Sequence, residues 1–168
     1  MSLYKLKGLW LKLDTMHLPV IVLFSAAFYV PCLPYSISYT DCGSVDITVI
    51  SVSIEPCDRE PCTLIRGTTV SVVIRFMALE RIYAGGSTIQ GVFPAGPIRV
   101  PLQVNGVCAQ LVPPCPIEVG EVYTYEVTDR VPDTLPPGLL TIRWELLNDN
   151  GTPFLCIEFP VVVAVAAK

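Results

Sequence analysis

The stretch that decides the fold runs from Asp41 to Phe76 and reads DCGSVDITVISVSIEPCDREPCTLIRGTTVSVVIRF. It contains two apolar runs, separated by two cysteines, Cys57 and Cys62, that enclose only four residues. In the second run, every other residue from Val70 to Phe76 is apolar. Alternation with a period of two is typical of a β-strand with one buried face. The stretch therefore predicts two β-strands joined by a short turn that a disulfide can close.

The same alternation continues along the chain, and no helical periodicity appears after residue 38. Apolar residues alternate with polar ones in VYTYEV, TIRWELL and FLCIEF, while STIQGVF and IRVPLQV are further strand candidates. The apolar phase slips between Val49 and Ile50, which predicts a β-bulge. Pro101 lies inside a strand-like run and predicts an edge strand or a bulge. Glycine and proline turns separate the runs, so the sequence predicts an all-β two-sheet sandwich of about seven short strands in one domain.

An apolar segment precedes this domain. Leu18–Val30 is 13 residues without a charge, which is short of the ~20 that a membrane-spanning helix needs. Lysines precede it and the small residues Ser36 and Ser38 follow it. This layout predicts a signal peptide over residues 1–38, cut after Ser38, and a secreted domain over residues 39–168. Translation from Met16 would give a signal of ordinary length, and a membrane anchor is the alternative interpretation.

The cysteine count supports a cut before the domain. Removal of Cys32 leaves an even set of six: Cys42, Cys57, Cys62, Cys108, Cys115 and Cys156. Six cysteines in a small secreted chain usually form three disulfides, with 15 possible pairings. Short loops between neighbours suggest Cys57–Cys62 and Cys108–Cys115, which leaves Cys42 with Cys156.

The sequence offers little for catalysis. The single histidine, His17, lies in the leader, so residues 39–168 have no Ser–His–Asp or Cys–His set. The cysteine spacings do not match a zinc site, and we expect neither a metal nor a cofactor. Glu145 and Glu158 fall on the outward phase of their strands, which favours solvated carboxylates over a glycosidase pair. We therefore expect a protein that is not an enzyme.

Charge and one sequon complete this picture. Residues 39–168 carry 8 Lys and Arg against 14 Asp and Glu, a net charge of about −6, without a basic run. Such a surface argues against nucleic acid as a partner. Asn150 opens the sequon Asn-Gly-Thr at a predicted hairpin turn and is a candidate for N-glycosylation.

The motifs in combination resemble one known family. DCGSV, the C-x4-C pair followed by L-x-x-G, VPLQVNGVC with its C-x6-CPI continuation, and NGTPFLCIEFPV are similar to the ML (lipid-recognition) domain family over residues 41–162. Within it, the chain is most similar to the soluble, lumenal sterol carriers and their arthropod homologues. The resemblance implies an immunoglobulin-like β-sandwich with the three disulfides paired as above. It also implies a monomer, secreted or in the endosome–lysosome lumen, that holds a lipid between its sheets and passes it to a membrane-bound acceptor.

The resemblance assigns pocket positions as well. It implies that the pocket is lined or gated by Val70, Val100, Pro101, Val131, Leu135, Pro136, Trp144 and Ile157. Four of these, Val70, Val100, Leu135 and Ile157, are aliphatic where the family's sterol carrier is aromatic. This difference predicts a weaker preference for cholesterol over flexible lipids. The alternative is that these residues only pack the core, as inward residues of any sandwich would.

Three functions are compatible with the sequence. The leading hypothesis is a secreted lipid-binding and transfer protein, with a sterol, a fatty acid or another hydrophobic molecule as cargo. The first alternative is an extracellular lipid-recognition module in innate immunity or chemical communication. The second is a structural β-sandwich without a ligand.

Overall fold

A computed structural model describes residues 35–93, 96–100 and 106–166. These residues form two packed β-sheets and one short 3-10 helix, which confirms the all-β prediction. No helix in these three ranges is long and apolar enough to cross a membrane. The strands are β1 (Thr40–Asp41), β2 (Ile47–Glu55), β3 (Cys62–Ile65), β4 (Thr69–Ala78), β5 (Ala84–Phe93), β6 (Gly96–Val100), β7 (Leu111–Val112), β8 (Val122–Arg130), β9 (Gly138–Asn148) and β10 (Pro153–Ala164); the 3-10 helix is Val107–Gln110.

The strands divide between two sheets. One sheet has the order β1-β10-β9-β5-β6, with β3 also paired to β10, and the other has the order β2-β4-β8-β7. All pairs are antiparallel except β3 with β10. The predicted number of about seven matches the longer strands, because β1, β3 and β7 have only two to four residues and are too short to alternate visibly.

The alternating residues form the core, as predicted. Ile74, Phe76 and Tyr125 are fully buried between the sheets, and Ile142 and Trp144 face them from β9. Aromatic rings concentrate at one end of this core, where Phe76 lies 5.8 Å from Tyr123 and 6.0 Å from Phe154 between ring centroids. The other end is built mainly from aliphatic side chains, and the cavity described below lies there.

The predicted bulge is present in β2. The register against β4 shifts between Val49 and Ser51, so Ile50 is the extra residue and its side chain is exposed. The expectation for Pro101 concerns residues 101–105, which lie outside the described ranges. Strand β6 ends just before it, at Val100, and is an edge strand of its sheet.

All three disulfides have the predicted pairing. Cys42–Cys156, Cys57–Cys62 and Cys108–Cys115 have Cα–Cα distances of 5.0, 5.1 and 5.5 Å. The first joins residues 114 positions apart, and the backbone N–H of Cys42 also donates to the carbonyl of Cys156 at 2.9 Å. The beginning and the end of the domain are thus tied together at one point.

A short N-terminal segment, residues 35–38, lies along the outer edge of β2. The backbone N–H of Ile37 donates to the carbonyl of Val52 at 2.9 Å, and the N–H of Ile54 donates to that of Tyr35 at 3.3 Å. Ile37 is only 6% exposed and belongs to the core. These contacts cover the edge of β2, and a cut after Ser38 would remove them.

Candidate functional site

The candidate site is an apolar cavity between the two sheets. It has a volume of about 70 Å³ and lies at the aliphatic end of the core. Its walls come from both sheets and from the segment after β8. The lining residues are Ile54, Leu64, Val70, Val72, Ile89, Val100, Val127, Asp129, Arg130, Val131, Pro132, Leu135, Ile142, Trp144 and Phe159.

Strand register explains why these side chains meet. Val72 of β4 lies opposite Val127 of β8, and Ile89 of β5 lies opposite Trp144 of β9. Residues directly opposite on paired strands point to the same face of a sheet. Because these pairs sit on the inner faces, each sheet supplies a patch of apolar side chains to the cavity. Branched side chains hold the walls without filling the space between them.

The loop between β8 and β9, residues 131–137, covers the cavity. Its first residue, Val131, is fixed by two backbone hydrogen bonds of 2.9 Å, one to Thr68 and one from Gly67. Leu135 is 4% exposed, and its side chain comes close to Gly91 of β5. A Cβ at Gly91 would lie 3.8 Å from Leu135, which is an ordinary contact distance, and 3.2 Å from the ring of Phe93, so the bare backbone there mainly leaves room for Phe93. Leu135 is thus a buried part of the cavity wall.

The structure brings together most of the residues that the resemblance assigned to the pocket. Val70, Val100, Val131, Leu135 and Trp144 line the cavity. Three others do not form part of the described lining: Ile157, Pro136 and Pro101. Ile157 is opposite Trp144 in the β9–β10 register but is fully buried in the core, Pro136 is a half-buried neighbour of Leu135, and Pro101 lies outside the described residues.

The sequence analysis missed ten lining residues: Ile54, Leu64, Val72, Ile89, Val127, Asp129, Arg130, Pro132, Ile142 and Phe159. The alternation of apolar and polar residues predicted that several of them face the core, but it does not predict where the core leaves a cavity. Asp129 and Arg130 are the charged members of the lining. They stand at the end of β8, where the strand leaves the sandwich.

Buried polar groups lie next to the cavity. The hydroxyl of Tyr125 donates to Oγ of Ser87 at 3.2 Å, and burial raises the pKa of this phenol. The rings of Tyr125 and Trp144 meet edge to face, with 6.2 Å between centroids. Within the described ranges the indole N–H of Trp144 makes no hydrogen bond within ordinary distance. The ring of Trp144 forms a flat part of the cavity wall.

The carboxylates considered for catalysis lie elsewhere. Glu145 and Glu158 both pair with Arg143, at 2.9 and 3.3 Å, and neither lines the cavity. Among the described residues, no cluster of His, Cys, Asp and Glu is arranged to hold a metal ion. Two wider surface hollows, of about 330 and 470 Å³, have mixed polar and apolar walls and lie outside the space between the sheets.

Fold and site together define a class: β-sandwiches framed by disulfides, with an apolar cavity between the two sheets. Comparison with known proteins identifies the family within this class. The family model of the ML domain matches residues 36–163, and the chain belongs to that family.

Alignments with individual relatives support this assignment and cover most of both chains. The chain is 30% identical to NPC intracellular cholesterol transporter 2 of Danio rerio, over 85% of this chain and 94% of the relative. It is 31% identical to NPC intracellular cholesterol transporter 2 homolog a of Drosophila melanogaster, over 76% and 88%. Among solved structures, a Niemann-Pick type C2 protein from the Japanese carpenter ant has a TM-score of 0.67 and 26% identity, over 76% of this chain and 100% of that one.

Proposed function

We propose that this protein binds and transports a lipid, with one sterol or other hydrophobic molecule held between its sheets. The observation that carries the proposal is the apolar cavity, whose lining is apolar apart from two charged residues at the end of β8. The relatives' names support it, since two of them are cholesterol transporters. A carrier needs no covalent chemistry, which agrees with a site built from aliphatic walls.

Cargo entry requires the cavity to open. Ligand pockets usually measure about 300–1,000 Å³, and an engineered apolar cavity of about 150 Å³ binds molecules as small as benzene or xenon. The cavity here is about 70 Å³, so a lipid must displace Leu135 and separate the inner side chains. Each Å² of apolar surface that the lipid buries returns about 25 cal/mol, which can offset this rearrangement. Residues 131–137 are the segment whose movement we propose.

The proposed cargo cycle includes an acceptor. A lipid that is buried behind Leu135 is shielded from water, so release is favoured where another apolar site receives it. We propose a membrane-bound acceptor protein and a monomeric carrier. The same cavity in a protein that retains its lipid would instead serve recognition.

We also propose that the protein is secreted and that its apolar leader is removed. The buried Ile37 favours a cut before Tyr35 over the cut after Ser38, because complete burial of such a side chain stabilises a fold by about 1.5–3 kcal/mol. N-terminal sequencing of secreted material is expected to begin at or before Tyr35. A first residue of Tyr39 would support the cut after Ser38, and recovery of Leu18–Val30 in a membrane fraction would contradict secretion.

Asn150 is proposed as a glycosylation site of the secreted form. It is exposed in the turn between β9 and β10, where the side chain of Asn148 accepts its backbone N–H at 3.1 Å. A glycan there would project away from the cavity lining, and digestion with an N-glycosidase should reduce the mass of the secreted protein.

Organic extraction of the purified protein, followed by mass spectrometry, tests the proposed function. About one lipid per protein, together with transfer to acceptor vesicles, supports a carrier. A bound lipid without transfer supports a recognition module. If the extract contains no lipid and no fluorescent lipid can be displaced, the result would contradict a lipid-binding function and favour a structural β-sandwich without a ligand.

We propose that Val100 and Leu135 form the mouth of the cavity, and their aliphatic side chains predict the carrier's selectivity. We expect Val100→Phe combined with Leu135→Tyr to raise the preference for a fluorescent sterol over a fluorescent fatty acid by about fivefold. Rigid rings pack well against a rigid sterol, and ~50 Å² of added contact at about 25 cal/mol per Å² is roughly 1 kcal/mol. A flexible acyl chain gains less because it already adapts to an irregular space.

The matched control places the same changes on the surface, as Val112→Phe with Leu79→Tyr, since both residues are exposed. It should leave the sterol preference unchanged. A wild-type protein that already prefers cholesterol strongly, with no shift in the mouth variant, would show that these side chains do not set selectivity.

A further inference from the structure

A hydrogen bond between the two sheets lies next to the inner end of the cavity. The hydroxyl of Tyr125, on β8, donates to Oγ of Ser87, on β5, at 3.2 Å, and these strands belong to different sheets. Tyr125 is fully buried, and Ser87 is only 9% exposed. The bond therefore joins the sheets inside the core, where a hydrogen bond is stronger than it is in water.

The strand register places this contact one layer deeper than the cavity. Side chains two positions apart on a strand point to the same face of the sheet. Val127 and Ile89 line the cavity, and Tyr125 and Ser87 are the next inward residues on the same two strands. The ring of Tyr125 also meets the ring of Trp144, which lines the cavity, edge to face at 6.2 Å. Tyr125 thus lies where the cavity ends on β8.

The layer beyond this contact is closed by aromatic packing. Phe76 lies between Tyr123 and Phe154, and these three side chains are at most 4% exposed. Separation of the sheets at this depth would disrupt that packing and take the phenol of Tyr125 away from its acceptor, which is costly for a buried group. Sheets that part near Val131 to admit a lipid should therefore stay closed at Tyr125.

We propose that the ring of Tyr125 is the stop that limits how far a cargo reaches between the sheets, and that it sets the longest chain that the protein buries completely. This inference rests on the proposed function, since it needs a lipid that enters between the sheets past Val131. These two residues are six positions apart, which corresponds to about 20 Å along a strand at about 3.4 Å per residue. A chain longer than this distance has to fold back or leave its end in water.

The affinities of a series of n-alkanols test the proposal. Members from decanol to eicosanol differ only in length, and their extended lengths bracket the distance from Val131 to Tyr125. Each displaces an uncharged fluorescent probe, N-phenyl-1-naphthylamine, from the full-length secreted protein. In wild type, we expect the affinity to rise by about fourfold for each added CH2 until the chain reaches Tyr125, and to rise no further beyond that length.

Tyr125→Ala should extend this limit. Loss of the ring leaves a space below the cavity, and an apolar space of that kind can bind an apolar group. We expect the affinity of this variant to keep rising for about two to four CH2 groups beyond the wild-type limit. If Tyr125→Ala fails to fold, Tyr125→Leu removes less of the side chain and should extend the rise by about one CH2 group.

Tyr123→Ala is the matched control. Tyr123 is a buried tyrosine on the same face of β8, two positions further from the cavity, and its hydroxyl bonds to Pro116 and Glu118 of the preceding loop. Its replacement should lower stability but leave the wild-type length limit unchanged, because Tyr125 is still present.

Two results would overturn the role of Tyr125 and leave the carrier function intact. One is a wild-type affinity that rises over the whole series. The other is a folded Tyr125→Ala or Tyr125→Leu protein with the same length limit as wild type. Failure of every alkanol to displace the probe from wild type would instead contradict the carrier function itself.

Discussion

Replacing both Cys42 and Cys156 by alanine is expected to lower the free energy of unfolding by about 4–5 kcal/mol, the largest loss of stability that we predict for any disulfide here. The bond closes a loop of 114 residues, and on the chain-entropy model a longer loop restricts the unfolded chain more. Both cysteines also lie where β1 pairs with β10, so the loss frees the beginning of the domain. Urea denaturation followed by tyrosine and tryptophan fluorescence measures the change.

The control removes Cys57 and Cys62 in the same way. That bond spans only five positions, so the same model gives about 2 kcal/mol. The ordering of the two losses is the test. Equal losses, or a larger loss from the short loop, would mean that loop length does not determine how these bonds stabilise the domain.

Val131→Asp is expected to abolish lipid binding while the three disulfides still form. Val131 is 3% exposed and lines the cavity at the base of the covering loop. An unpaired carboxylate buried there costs several kcal/mol or has to remain neutral, and either outcome opposes an apolar cargo. Displacement of a fluorescent lipid measures binding, and non-reducing peptide mapping with circular dichroism shows whether the domain is folded.

Val112→Asp makes the same change at a residue that is 69% exposed and outside the cavity lining. It should bind lipid as wild type does. Full-strength binding by a folded Val131→Asp protein would place the lipid elsewhere. If Val131→Asp fails to fold, Val131→Thr introduces a smaller polar group at the same position and should weaken binding at least several-fold.

Local sequence patterns were sufficient for the inner faces of the long strands. Val72, Ile142 and Trp144 lie on the inward phase of a period-two pattern, and each is buried. The bulge at Ile50 was visible for the same reason, since an extra residue shifts the phase of the pattern. Short-range spacing also suggested two of the disulfides.

Contacts between distant segments were not predictable in this way. Leu135 lies close to Gly91 of β5, which is far from it in the sequence. The parallel pairing of β3 with β10 involves a strand of four residues, too short for a pattern. Nothing in the local sequence marks Arg130 as a residue of the cavity lining, because its position there follows from where β8 ends. The volume of the cavity depends on the distance between the two sheets, and the pattern of apolar and polar residues along a strand does not determine that distance.

Photoreactive lipids give the most direct test of a cargo between the sheets. A sterol and a fatty acid, each with a diazirine in its apolar part, are bound, irradiated and mapped by mass spectrometry after digestion. We predict labels on inward residues of β4 and β9, such as Val72, Ile142 and Trp144, that an excess of unlabelled lipid suppresses. Labels confined to exposed residues such as Leu139 and Val112, unaffected by competitor, would contradict a lipid site in this cavity.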